Sequence, residues 1–195
     1  MTNWKPSPDA KRRLLVSTAM LGALCTGYGR RAYAGSCVEA PPGTYACTGA
    51  FTTSQNFVNA TGPLIVTGTA GFGVSSTTGN AVTLGSSGTT GGITFTDTDP
   101  TNIAISGAAN PPDAVNEIGI DAEQTAGSGN LTISTGSSVA ISGGSEGVFV
   151  GNIGGTGAVS ITTLGTVTST NGTGISASNS TGLVARVIRT EGTAF

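Results

Sequence analysis

Leu131-Thr132-Ile133-Ser134-Thr135 recurs in pattern as Val159-Ser160-Ile161-Thr162-Thr163, and Ile103-Ala104-Ile105 precedes the first of them by the same step. The step is roughly 28 residues, a period that indicates a solenoid or an array. Each segment alternates apolar with small residues and is bounded by Gly, Asn, Ser or Thr, the pattern of a short β-strand between tight turns. The same pattern marks Leu64-Ile65-Val66, Val82-Thr83-Leu84, Ile93-Thr94-Phe95 and Val139-Ala140-Ile141. No segment after residue 34 carries a sustained helical period.

A second motif repeats in step with the first. Gly92-Ile93, Gly119-Ile120, Gly147-Val148 and Gly174-Ile175 succeed one another at nearly the same interval. Helical repeats lack their helix formers here, and a propeller blade needs about 40 residues or more. A β-sandwich or pilin-like domain also has many short strands but does not predict equal spacing. The unit fits one coil of a parallel β-helix, with Thr and Ser outward and Gly and Asn at corners that need positive φ. The expected core ladder residues are Ile103, Ile105, Leu131, Ile133, Val159, Ile161, Ile120, Val148 and Ile175. Leu131 should then stack between Ile103 and Val159. Pro111-Pro112-Asp113, placed opposite Val139-Ala140-Ile141 of the next coil, predicts a loop in place of a strand.

Composition narrows the chemistry. Gly, Thr and Ser make up 84 of 195 residues, charged residues are 9%, and there is no His. Without His there is no Ser-His-Asp or Cys-His triad and no His-ligated metal. So few charges give no basic footprint for nucleic acid.

The first residues read as an export signal. A polar segment ends in Lys11-Arg12-Arg13, an apolar run follows from Leu14 to Cys25, and Ala32-Tyr33-Ala34 before Gly35 fits cleavage between Ala34 and Gly35. An apolar run of about 12 residues is too short to cross the roughly 30 Å hydrocarbon core as a helix. Leu24 stands where a lipoprotein would carry a small residue before Cys25. Removal of residues 1–34 leaves Arg186 and Arg189 against nine acids, a net charge of −7. Such a chain seeks neither nucleic acid nor anionic lipid. Cys37 and Cys47 remain, and the turn formers Pro41-Pro42-Gly43 between them favour a structural disulfide in an oxidising compartment. The expected organisation is a signal peptide over 1–34, an N-terminal cap with a disulfide loop over 35–60, and repeats over 61–195.

Gly147-Val148-Phe149-Val150-Gly151-Asn152-Ile153-Gly154-Gly155-Thr156-Gly157 resembles the Gly-Ile-x-Ala-x-Ser-Ile-Gly-Gly-x-Gly repeat of bacterial autotransporter passenger domains, and Thr168–Ala177 resembles its preceding half. Val150 replaces the Ala, and Gly151-Asn152 the x-Ser positions. The resemblance implies a Gram-negative protein whose passenger is carried through the outer membrane by a C-terminal β-barrel. Nothing after residue 185 resembles such a barrel, so a truncated or barrel-less relative is expected. The expected fold is all-β, a right-handed parallel β-helix with 27–28-residue coils.

Two carboxylate pairs, Asp97/Asp99 and Asp121/Glu123, have the alternate-position spacing that puts side chains on one face of a strand. They would suit Ca²⁺ or a glycosidase pair, but their ordinary role is a solvated surface. The expected function is a non-catalytic structural or adhesin-like surface module with no cofactor and no metal. Its partners would be the export machinery and a surface ligand, a host or matrix glycan or protein. Alternatives are an extracellular carbohydrate-active β-helix and a non-functional fragment of a longer autotransporter.

Overall fold

The computed structural model describes residues 34–101, 103–108 and 117–180, and the backbone alone of 186–189. The chain divides into two compact units, Met1–Ala32 and Tyr33–Phe195. The proposed signal segment up to residue 33 lies outside the described residues, and the strands belong to the second unit.

Every regular element among the described residues is a β-strand. In order they are β1 (Ser36–Glu39), β2 (Thr44–Phe51), β3 (Gln55–Asn59), β4 (Leu64–Ser75), β5 (Val82–Ser86), β6 (Ile93–Asp97), β7 (Ile103–Ser106) and β8 (Ile118–Gln124). They continue with β9 (Leu131–Thr135), β10 (Val139–Gly143), β11 (Glu146–Asn152), β12 (Val159–Thr163), β13 (Val167–Ser169), β14 (Thr173–Asn179) and β15 (Arg186–Arg189). β1 pairs β2 antiparallel, and the other strand pairings are parallel.

The parallel strands form three columns. The first runs β2, β4, β6, β9, β12, β15. The second runs from the ends of β2 and β4 through β7 and β10 to β13. The third runs β3, β5, β8, β11, β14. β2 and β4 are long enough to serve two columns, which joins the first and second into one sheet. β4 turns between them at Ala70 and Gly71, both at positive φ. Gly71 adopts that conformation without a Cβ penalty, whereas Ala70 bears it. β2 and β3, which precede residue 61, already belong to the columns.

Period-2 alternation turns Leu64, Ile93, Leu131 and Val159 inward as one ladder, and Val66, Phe95, Ile133 and Ile161 as the next. The third column contributes Val82, Ile120, Val148 and Ile175, of which Ile175 is only partly buried. Burial of each such side chain is worth about 1.5–3 kcal/mol. Phe51, Phe72 and Phe95 stack with centroids 5.8 and 6.3 Å apart.

The expected stacking of Leu131 on Ile103 is corrected. Leu131 lies between Ile93 and Val159, and Ile103, half-buried, pairs Val139 in the second column. Likewise Gly92-Ile93 belongs to the first column, and the third-column equivalent of Ile120 is Val82. One cause explains both. The step from Ile93 to Leu131 equals that from Val82 to Ile120, and both are longer by about a third than the step from Leu131 to Val159. Most of the extra length lies between Ile105 and Ile120. It nearly equals the spacing from one column to the next, so the regular offset still lands on a strand, but in the neighbouring column. Val139-Ala140-Ile141 is therefore matched by Ile103-Ala104-Ile105 and not by a loop. Pro111-Pro112-Asp113 lies outside the described residues.

Gly119 and Gly147, second residues of β8 and β11, lie where neighbouring strands of the third column pack backbone to backbone. A Cβ at Gly119 would sit 2.5 Å from the Gly147 carbonyl oxygen, and one at Gly147 2.6 Å from that of Gly174. The glycine of this motif is thus a steric requirement.

Candidate functional site

Asp97 and Asp99 do not share an exposed face. Asp97 ends β6 on the side of Ile93 and Phe95 and is fully buried. Its register neighbours are Gly68 and Thr135, and Thr135 pairs Thr163. Gly68 leaves the necessary room, since a Cβ there would lie 2.9 Å from the Asp97 Cγ and 2.7 Å from Phe72. Asp97 Oδ1 accepts the Asp99 backbone N–H at 3.3 Å, while Oδ2 has no protein partner. Burial pushes the Asp97 carboxyl up to about 6, and the Asp99 charge adds to this against the opposing hydrogen bond.

Asp99 lies beyond the strand and is also buried. Its Oδ2 accepts the Gly71 N–H from the turn within β4, and Oδ1 accepts the Thr101 N–H at 2.8 Å and the Thr101 hydroxyl at 2.7 Å. These donors, led by Gly71, hold its carboxyl below the usual range. Asp99 therefore forms an Asx turn and ties the segment after β6 to the turn within β4. Neither carboxylate is open to a polymeric substrate.

Asp121 and Glu123 share the outward face of β8, with opposite parity to Ile120 and Ala122. Asp121 is half-buried. Its Oδ2 accepts the Asn80 amide at 2.8 Å, and the Asn80 Oδ1 accepts the Ile118 N–H at 2.9 Å. Burial, then the charges of Glu123 and Glu146, raise the Asp121 carboxyl to about 6 against the Asn80 hydrogen bond. Glu123 is exposed, flanked in register by Gly85 and Gly151. Phe149 of β11 is the register neighbour of Asp121. Chemically, this is a carboxyl that holds a proton to higher pH than usual beside a solvated carboxylate. Among the described residues no group of three or more His, Cys, Asp or Glu converges as a metal centre.

Cys37 and Cys47 face each other across β1 and β2 and are joined by a disulfide, with Cα atoms 4.0 Å apart. Gly43, at φ 79°, closes the turn, where Thr44 donates to the Pro41 carbonyl at 2.9 Å. Ala34 bridges Ala50, and the Gly35 N–H donates to the Ala50 carbonyl at 2.8 Å. No helix among the described residues is long and apolar enough to cross a membrane.

Two interior polar ladders escaped the sequence reading. One is Asp97, Thr135 and Thr163; the other is Ser86, Gln124, Asn152 and Asn179. Asn152 is satisfied by its own corner, accepting from Gly155 at 2.9 Å and donating to the Gly157 carbonyl at 2.8 Å. The Gln124 amide and the Thr135 and Thr163 hydroxyls have no protein partner. Parity was the available signal, because each of these residues continues an inward series such as Ile93-x-Phe95-x-Asp97.

No family model matches the chain, and neither a curated protein nor a solved structure is significantly similar to it.

Proposed function

We propose that the chain is an exported, non-catalytic surface module, a right-handed parallel β-helix resembling autotransporter passengers, which stands on or is released from a Gram-negative cell. The observation that carries this reading is the order in which the chain visits its three parallel columns, with near-equal steps in the last coils. Parallel crossover connections are right-handed in about 98% of cases. The Cys37–Cys47 disulfide suits an oxidising compartment, and the net charge of −7 after residue 34 suits solubility there. Its role would be to display outward faces and corners to a host or matrix glycan or protein.

Expression of the whole chain in a Gram-negative host tests this. The chain should leave the cytosol, begin at Gly35 by mass and hold no free thiol at Cys37 or Cys47. Retention in the cytosol with Met1 intact refutes export. A second reading rests on the raised carboxyl of Asp121 beside Glu123, a pairing suited to acid catalysis on a glycan. Polysaccharide turnover that disappears in Asp121→Asn and Glu123→Gln would establish it and overturn the non-catalytic reading.

A further inference from the structure

Between β4 and β12 the outward face of the first column is regular in composition. On β4, β6, β9 and β12 the outward positions are Ile65 and Thr67, Thr94 and Thr96, Thr132 and Ser134, and Ser160 and Thr162. Registers align them as two parallel files, Ile65-Thr94-Thr132-Ser160 and Thr67-Thr96-Ser134-Thr162. Seven of the eight positions carry a hydroxyl, five of them on Thr, and none is charged. All seven hydroxyl residues are half-buried, as expected where neighbours in a ladder cover one another's flanks. The corresponding file of the second column, Ser75, Ser106, Ser142 and Thr168, also carries hydroxyls, but mostly on Ser, and there Ser106 and Ser142 hydrogen-bond each other at 3.0 Å. The equivalent file of the third column reads Thr83, Asp121, Phe149, Ser176.

The array has a definite lattice. Neighbouring strands lie about 4.8 Å apart, and alternate residues along a parallel strand are separated by about 6.6 Å. Water joined by tetrahedral hydrogen bonds of about 2.75 Å has its own repeats. The second-neighbour oxygen distance is √(8/3) of the bond, about 4.5 Å, and the repeat along the unique axis of the hexagonal crystal is 8/3 of it, about 7.3 Å. Across four strands the mismatch accumulates to about 0.9 Å, and between the two files it is about 0.7 Å. Both are well under one hydrogen-bond length. β-Branched Thr is restricted at χ1, so each of the five Thr presents one hydroxyl and one methyl from a stiff side chain. The hydroxyls anchor water, and the methyls line the gaps between anchored waters without competing for hydrogen bonds.

We propose that this Thr-rich face is an ice-binding surface whose ligand is the ordered water lattice of an ice crystal. The inference rests on the pairing registers and is independent of export or of a glycan partner.

Growth of a single ice crystal in a solution of the purified chain, held just below its melting point, tests it. The expected result is faceted growth and a measurable gap between melting and growth temperatures. Thr132→Tyr, in the middle of the array, should abolish both. Thr83→Tyr, outward on the third column, should leave both unchanged. Circular dichroism verifies that each variant keeps its β-structure, and Thr96→Lys repeats the test if Thr132→Tyr does not. Rounded crystals with no gap for the unmodified chain overturn the proposal, as does an undiminished gap in a folded array variant.

Discussion

Replacing Asp97 with Asn should change how stability depends on pH. The group titrates at 3.8 as an ordinary aspartate and at about 6 in the folded chain. Between these values the folded protein keeps a proton that the unfolded chain has released. The contribution is therefore fully present below about pH 4 and is lost as pH rises through about 6. A difference of about two pKa units corresponds to about 3 kcal/mol at full effect. For a chain of this length that is about 6–12 °C in melting temperature. Asn has nearly the same shape and cannot ionise, so Asp97→Asn should gain up to about 3 kcal/mol relative to the parent at pH 8, and little at pH 4. Asp121 titrates in the same direction, also at about 6, and supplies a second component of the parent's slope. Asp99 acts oppositely, its contribution being lost only as pH falls below the ordinary aspartate range. Urea unfolding of the parent, Asp97→Asn and Asp97→Asn/Asp121→Asn at pH 4, 6 and 8 separates these parts. The single variant should lose roughly half of the decline and the double variant nearly all of it. An Asp97→Asn protein whose stability falls as steeply as the parent's would refute the assignment of a protonated carboxyl to this corner.

Other substitutions probe the packing. Gly147→Ala places a methyl 2.5 Å from Val167 Cγ1 and 2.8 Å from the Thr168 carbonyl oxygen, and should cost about 1–3 kcal/mol in urea midpoint analysis. Ile133→Ala, in a fully buried ladder position, should cost about 2–5 kcal/mol by the same assay. Thr135→Val removes a buried hydroxyl without a protein partner, so thermal unfolding should show little change or a gain of up to about 1 kcal/mol. Cys37→Ser opens a short loop and should cost about 2–3 kcal/mol, an effect that reduction of the parent reproduces.

The period was legible in the sequence because alternation and spacing are properties of local residues. Leu131 to Val159 and Ile120 to Val148 were paired correctly from their common step. The phase upstream was not legible. The longer step between Ile105 and Ile120 moved Ile103 and Ile93 onto other columns while leaving them at a plausible offset from Leu131 and Ile120. Strand pairing is a long-range property, and one offset cannot distinguish neighbouring columns of similar pattern. At the acids, spacing alone misled. Asp97 and Asp99 occupy alternate positions, but β6 ends at Asp97, and Asp99 lies beyond it, tied to Gly71 and Thr101. The parity of Asp97 with Phe95 pointed inward, a signal obscured by the usual reluctance to bury a carboxylate. For Asp121 and Glu123 the strand continues through both, and the same spacing did place them on one face.

The long step between Ile105 and Ile120 has a consequence for cargo. Ladders on both sides of it stay in register, Ile105 with Ile141 and Val82 with Ile120. The length of chain spent between two columns is thus decoupled from the pairing that follows. Foreign sequence inserted between Ala108 and Glu117 should therefore leave both pairings in place, because the scaffold measures strands and not residues.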